Sequence, residues 1–304
     1  MRETEIPVKP NFAFLAHDSH ITSLRLTSDG RRLFSTGMDN VVKLWSVEDW
    51  SLLRTFSGHD KSVNCLALTP DGAILVTGSS DATVRIWDVA TAERRITLQD
   101  RKRVVAGLSI SSDGEWIAAG SYKGRVAIWS IEGEPIAAFP ASKQNVVSAA
   151  LSPVNRTILA TSGLGADIKI WSLPEGKGLA TLTLPAAATM QVRFTSDGRH
   201  LIALTYEGAL HVWRTRDWTA TEVPMPAIPG ARLFALNRPG DRCAILSEGH
   251  VQIRSFPEWK ALLEFPVDAK VLSAAAFSPS GQMLVVGASD RRIRVWHLEE
   301  SSLP

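Results

Sequence analysis

Hydrophobic residues occur along this chain in short runs of about five positions, separated by turn-forming residues. Val41-Val42-Lys43-Leu44-Trp45 and Thr83-Val84-Arg85-Ile86-Trp87 are rich in β-branched and aromatic side chains, and each follows a turn that contains an Asp. Runs of this length and composition predict β-strands. Apolar positions at helical spacing over the length of a helix are absent, so the pattern predicts an all-β protein.

The strand pattern repeats with a period close to 42 residues. The marker residue at the end of the third strand of each unit is Trp45, Trp87, Trp129, Trp171, Trp213, Arg254 and Trp296. A turn with the pattern Ser/Pro-Asp-Gly runs in register with it, as at Ser28-Asp29-Gly30 and Pro70-Asp71-Gly72. Four strands and four tight turns use about this number of residues, which is the size of one propeller blade. The sequence therefore predicts seven blades.

These motifs identify a family resemblance. Gly58-His59 opens one unit and Trp87-Asp88 ends its third strand, so the chain resembles the WD-repeat family over residues 11–298. The resemblance implies a seven-bladed β-propeller of four-stranded antiparallel blades, with short tails at residues 1–10 and 299–304. Because Trp296 is followed by too few residues for a fourth strand, we expect residues 11–15 to complete the last blade and close the ring.

The resemblance also implies a buried network of His, Ser or Thr, Asp and Trp in each blade. In this network the Trp indole N–H needs an acceptor, and the Asp fixes the tautomer of the His. The network is complete in two blades, as His17, Ser35, Asp39 and Trp45 and then as His59, Thr77, Asp81 and Trp87. We expect these residues to be structural. The other blades lack some of them, and in the sixth blade Arg254 replaces the Trp.

Composition and net charge argue against some classes of function. The chain has 304 residues, 45% of them hydrophobic, and a formal net charge of only +2, which is small for a dedicated nucleic-acid or membrane-surface binder. The first residues lack the apolar core of a signal peptide and no stretch has the length of a membrane span, so we expect a cytoplasmic protein without membrane contact. Cys65 and Cys243 lie in apolar strand-like runs and are expected to be reduced core thiols.

Candidate binding residues are found at one position of the repeat. The only two tyrosines, Tyr122 and Tyr206, each stand seven residues before the marker Trp, and Leu164 occupies this position in the blade between them. The resemblance places this position on the narrow top face of the propeller. Basic residues are expected beside it, at Arg101, Lys102, Arg103, Lys123 and Lys143. The alternative is that each tyrosine fills the interior space left by a missing His, and that the basic run is a solvated loop.

The sequence favours a non-catalytic protein-interaction scaffold or adaptor. Its partners would be proteins or peptides, including those with an acidic or phosphorylated segment, and the chain would be a monomer or a subunit of a larger complex. No catalytic, metal or cofactor motif is present, so no cofactor is expected. Two alternatives stay open, a nucleic-acid-binding subunit that uses the basic loop from Arg101 to Arg103, and a propeller enzyme with an active site in its channel.

Overall fold

The computed structural model describes residues 10–99, 102–165, 167–184, 188–221 and 227–298, and in these ranges the chain forms 27 β-strands and no helix. The strands form seven antiparallel sheets. The first strand is β1 (Phe12–Leu15). Blade one consists of β2 (Ile21–Leu26), β3 (Arg32–Gly37), β4 (Val42–Ser46) and β5 (Leu52–Phe56). Blade two consists of β6 (Val63–Leu68), β7 (Ile74–Ser79), β8 (Val84–Asp88) and β9 (Arg94–Leu98).

The next three blades follow the same order. Blade three consists of β10 (Val105–Ile110), β11 (Trp116–Ser121), β12 (Arg125–Ser130) and β13 (Pro135–Pro140). Blade four consists of β14 (Val146–Leu151), β15 (Ile158–Gly163), β16 (Asp167–Ser172) and β17 (Lys177–Thr183). Blade five consists of β18 (Thr189–Phe194), β19 (His200–Thr205) and β20 (Leu210–Arg214). In the described part of blade five, a single bridge between Trp213 and Ala220 takes the place of an outer strand.

The last two blades complete the ring. Blade six consists of β21 (Leu233–Leu236), β22 (Arg242–Ser247), β23 (His250–Ser255) and β24 (Ala261–Pro266). Blade seven consists of β25 (Leu272–Phe277), β26 (Met283–Ala288) and β27 (Arg292–His297), with β1 as its fourth strand. The first strands of successive blades contact one another all the way round, and β25 contacts β2. These seven inner strands therefore surround the axis, which confirms the predicted seven-bladed β-propeller.

The N-terminal strand closes the ring, as the sequence predicts. β1 pairs with β27 in antiparallel register, from Phe12 opposite Val295 to Leu15 opposite Arg292. Phe14 then packs against Trp45 of blade one, with ring centroids 4.9 Å apart. β1 thus joins blade seven to blade one, because it forms backbone hydrogen bonds with β27 and packs an aromatic side chain against blade one.

Each marker Trp packs in a core between its own blade and the preceding one. Trp87, for example, lies in one cluster with Phe34 and Phe56 of blade one. In blade six, where Arg254 replaces the Trp, Phe256 and Trp259 are buried in the corresponding cluster against Ile202 and Leu204 of blade five. Packing between neighbouring blades therefore persists where the marker residue is lost.

Three further tryptophans lie in turns rather than on the outer strands. Trp50, Trp218 and Trp259 have positive φ values of 59°, 58° and 59° and precede the fourth-strand position of their blades. Their rings still pack inward, since Trp259 is buried and Trp50 and Trp218 contact interblade clusters. The place of these tryptophans five residues after each marker predicts packing on the outer strand; the packing is present, but it comes from the residue that precedes this strand.

Candidate partner-binding surface

The structural network is assembled in blade one by elements that converge at one end of the blade. His17 Nε2 lies 2.7 Å from Ser35 Oγ, and the Trp45 indole N–H donates to the same oxygen at 2.8 Å. His17 Nδ1 lies 2.8 Å from the carboxylate of Asp39. Because His17 precedes the inner strand and Asp39 lies between β3 and β4, the network ties the loop from the previous blade to this turn.

Blade two repeats the arrangement. His59 Nε2 lies 2.8 Å from Thr77 Oγ1, which accepts a hydrogen bond from the Trp87 indole at 2.9 Å, and His59 Nδ1 lies 2.7 Å from Asp81. Burial lowers the pKa of His59 despite the neighbouring carboxylate. Burial alone would raise the pKa of Asp81, but hydrogen bonds from Thr83 and His59 outweigh it and lower the pKa to about 2. The pair is thus a neutral His held by an ionised Asp.

The network is interrupted in blade three. Ala119 stands where Ser35 and Thr77 stand in the first two blades, so it offers no hydroxyl to the Trp129 indole. A cavity of about 10 Å³ lies beside Trp129 and is bordered by Ala119, Ser121 and Arg103. In blade four, Thr161 still accepts from the Trp171 indole at 2.8 Å. Loss of the network therefore leaves a small gap near the top of blade three while the strands stay in register.

The top face is the end of the ring that carries the turn between the second and third strands of each blade. Tyr122, Leu164 and Tyr206 lie in these turns of blades three, four and five, and we call them the top arc. Their side chains are 42%, 50% and 62% exposed. Neither tyrosine ring therefore fills the interior space left by a missing His. Met38 has the same position in blade one and is 49% exposed, but Ser80 of blade two separates it from the top arc.

Backbone hydrogen bonds fix the top arc. The Tyr122 amide donates to the Val104 carbonyl at 3.0 Å, and the Tyr206 amide donates to the Ala188 carbonyl at 2.8 Å. The Leu164 amide donates to the Asn145 carbonyl at 3.3 Å. Each bond anchors the turn to the residue that leads into the inner strand of its own blade. The exposed side chains thus project from a rigid support, which lowers the entropic cost of binding a partner.

The basic residues predicted near the top arc are brought together in blades three and four. Arg103 Nη1 donates to the Lys123 carbonyl at 3.2 Å, and Lys102, Lys123 and Lys143 are exposed. The loop that carries Lys143 is anchored to the same turn, because the Ser142 amide donates to the Gly124 carbonyl at 2.9 Å. We call Lys102, Arg103, Lys123 and Lys143 the basic group. Arg101, which the sequence also suggests, lies outside the described residues.

Asn145 joins the basic group to the top arc. Its side-chain Oδ1 accepts from the Lys123 amide at 2.9 Å, while its backbone carbonyl accepts from Leu164. Close approach of this loop requires glycine at position 163, since an added Cβ there would lie 1.8 Å from the Asn145 carbonyl oxygen. Sequence reasoning missed Asn145, although its place immediately before an inner strand in the repeat was a usable signal.

The two cysteines and the candidate metal ligands of the described residues bear on whether a catalytic site is present. Burial raises the pKa of the Cys65 thiol to about 12 and raises that of Cys243 further, so neither is an activated nucleophile. No group of three or more His, Cys, Asp or Glu side chains capable of holding a metal ion occurs in the described ranges. Among these same residues, no helix is long and apolar enough to cross a bilayer.

Comparison with known proteins gives the repeat a family. The model of the WD domain, G-beta repeat, matches residues 8–46, 50–88, 94–130 and 260–297, which together make up about half of the chain. Propellers of this family generally mediate protein interactions and are generally non-catalytic. The unmatched stretch between residues 130 and 260 contains blades four and five and the first strands of blade six, whose networks are incomplete.

Two relatives are similar in sequence to about half of this chain. Telomerase protein component 1 of Mus musculus is 27% identical over 157 residues, which are 51% of this chain and 6% of that protein. WD repeat-containing protein AAC3 of Dictyostelium discoideum is 33% identical over 165 residues, which are 49% of this chain and 32% of that protein. The matches thus span at most about a third of these relatives. The repeat model that matches half of the chain, together with the closed ring of seven blades, shows that the chain belongs to the WD-repeat family.

Proposed function

We propose that the protein is a non-catalytic scaffold that binds partner proteins or peptides on its top face, across blades three to five. Its main support is the exposure of Tyr122, Leu164 and Tyr206 beside the basic group. Exposed aromatic and apolar side chains on a rigid support, next to cations, are the composition of protein-binding hot spots.

The charge of the surface defines the partner. Lys102, Lys123 and Lys143 are exposed, and Glu115, the described carboxylate nearest in sequence to Lys123, lies just before β11 at the opposite end of blade three. A segment that presents an apolar side chain to the top arc and an acidic or phosphorylated side chain to the basic group fits this surface. A relative named as a protein component of telomerase is by its name part of an assembly, which agrees with a subunit role.

The proposal is tested by comparing partner recovery with three forms of the full-length chain. Affinity purification followed by mass spectrometry would use the unchanged chain, the Tyr122→Ala/Tyr206→Ala variant and the Ser80→Ala/Ser289→Ala variant. The serines occupy the same repeat position in blades two and seven, so they are matched controls. We expect partners that the serine variant retains and the tyrosine variant loses. Equal recovery by both would overturn the proposed surface.

Kinetics with a purified partner separate the two parts of the surface. Loss of an anchoring tyrosine is expected to cost about 2 kcal/mol, seen as faster dissociation. Arg103→Gln/Lys123→Gln is expected to slow association and to reduce its dependence on salt. Gly163→Ala moves Asn145 without changing any side chain of the surface, and it should weaken binding as well. If nuclease treatment abolished the recovered complexes, a nucleic-acid-binding function would replace the scaffold.

A further inference from the structure

Two arginines stand at one register position on the inner strands of the propeller. Arg25 is the fifth residue of β2 in blade one, and Arg193 is the fifth residue of β18 in blade five. The same position in the other inner strands holds small side chains, namely Ala67, Ser109, Ala150, Ala235 and Ala276. Because the inner strands surround the axis, the small residues leave room around both guanidinium groups at this level of the channel.

The two charges influence each other across the ring. Blades one and five are not neighbours, since blades six and seven lie between them on one side and blades two to four on the other. Burial lowers the pKa of Arg25, and burial together with the positive charge of Arg25 lowers the pKa of Arg193 to about 10. Arg25 is nevertheless exposed to solvent. A side chain that is both surrounded by protein and open to water lies in the channel.

Neither arginine is compensated by the residues the structure describes. The seven inner strands contain no Asp or Glu. Arg193 Nε is buried and has no hydrogen-bond partner among the described residues, and neither arginine forms a described ion pair. Two uncompensated guanidinium groups in a confined space repel each other, and a buried donor without an acceptor is destabilising. This part of the channel is therefore complementary to an anion.

A third arginine lies at the same end of the channel. Arg238 follows β21 in the turn between the first and second strands of blade six, and its Nη1 donates to the carbonyl of Ser28 in blade one at 3.4 Å. Ser28 follows the end of β2, two residues beyond Leu26 and close in sequence to Arg25. Arg238 thus reaches past blade seven, on the face of the ring opposite to the top arc.

We infer that the channel of this propeller binds an oxyanion of the phosphate type between Arg25 and Arg193, at the end that Arg238 borders. A tetrahedral anion offers several acceptors to forked guanidinium donors, and two cations match an anion that carries about two negative charges. The same chemistry is found in free inorganic phosphate and in a phosphate group on a partner peptide. The site is separate from the top arc and does not rest on the proposed scaffold function.

The test is calorimetric titration of the full-length chain at constant ionic strength with inorganic phosphate, and separately with a phosphoserine peptide and its unphosphorylated form. We expect saturable binding of inorganic phosphate, at least a tenfold loss of affinity in Arg25→Gln/Arg193→Gln, and no change in the exposed control Arg94→Gln. Binding of the phosphopeptide alone would assign the site to a partner's phosphate. Saturable binding that the double variant retained would overturn the inference, as would the absence of binding to both phosphate sources.

Thermal unfolding without added anion gives a second readout that does not depend on the ligand. Removing two repelling cations and a donor without an acceptor should leave the melting temperature of the double variant equal or higher. Phosphate should then raise the melting temperature of the unchanged chain more than that of the variant. The double variant is the control for the general stabilising effect of phosphate salts, which does not require a binding site. If the double variant does not fold, the single Arg193→Met variant takes its place under the same criteria.

Discussion

Blades one and two differ from blades three to five in what their top-face turns are used for. In the first two blades, Asp39 and Asp81 turn inward and hold a buried His. In blades three to five, the equivalent turns have lost these partners, and Tyr122, Leu164 and Tyr206 project into solvent. The strands of both regions keep the same register. Interblade packing therefore maintains the fold, so the turn residues of a blade can change from structural to exposed roles without loss of the ring.

The largest effect is expected when the marker Trp of each region is removed. Trp87→Ala deletes a ring that is 2% exposed and should lower the free energy of unfolding by about 3–5 kcal/mol. Trp129→Ala should cost less, because this ring is 8% exposed, borders a cavity and faces Ala119 instead of a hydroxyl. Denaturant unfolding of both variants measures the difference. Equal losses of unfolding free energy in the two variants would mean that the hydrogen-bond network contributes no stability beyond that of packing.

The next effect concerns the histidine of the complete network. His59→Ala leaves Thr77 and Asp81 without their shared partner, and this should cost about 1–3 kcal/mol of unfolding free energy. The exposed His20→Ala is the control and should change stability by less than about 0.5 kcal/mol. Should both variants unfold at the same denaturant concentration, the network would not be a source of stability.

The same network should make blade two sensitive to acid. The folded-state pKa of Asp81, about 2, lies below its ordinary value of 3.8, and burial places that of His59 below 6.5. The unfolded chain therefore binds more protons, so this stability is present above the ordinary pKa values and is lost as the pH falls toward 2. Asp81→Asn should reduce the difference in stability between pH 7 and pH 3 by about 1 kcal/mol, allowing for solvent screening.

Stability curves at several pH values would show this change of slope. Ser80→Ala changes the residue next to Asp81 without removing a titratable group, and it should keep the slope of the unchanged chain. An identical slope for Asp81→Asn and the unchanged chain would contradict the assignment of an ionised Asp81 in the folded protein.

The smallest effect is a gain in the region that lacks the network. Ala119→Ser restores the hydroxyl that Ser35 supplies to Trp45 in blade one, and it should add about 0.5–1 kcal/mol to the free energy of unfolding. Ala118→Ser places a hydroxyl on the opposite face of β11, in the core shared with blade four and away from Trp129, and it should not stabilise. If both variants, or neither, gained unfolding free energy, a hydrogen bond from the Trp129 indole would not be the source of the stabilisation.

The seven-bladed ring could be predicted from the sequence because large marker residues repeat at a fixed period, and each of them occupies one interblade core. The closing strand was predictable for the same reason, since the last repeat lacks a fourth strand that the segment before His17 can supply. The top arc was predictable as a repeat position, but its exposure depends on how each turn is anchored. That anchoring uses backbone groups and Asn145, which the periodic pattern does not distinguish from other loop residues.

Other features depend on contacts between distant repeats and could not be inferred. Trp259 looked like an outer-strand residue, whereas its left-handed backbone returns the ring to the space that Arg254 leaves unfilled. Arg25 and Arg193 lie in different repeats, and nothing in the repeat pattern places them near each other. Only closure of the ring brings them to the same level of one channel, where their like charges interact.

The pairing of β1 with β27 has a mechanical consequence. Asn11 Oδ1 accepts from the His297 amide at 2.6 Å, so the two ends of the described chain leave the ring at the same corner of blade seven. A pulling force applied through both ends would load the pairs from Phe12–Val295 to Leu15–Arg292 one after another, as in unzipping, instead of shearing them together. Tension would therefore open the ring at its seam before it unfolds any blade.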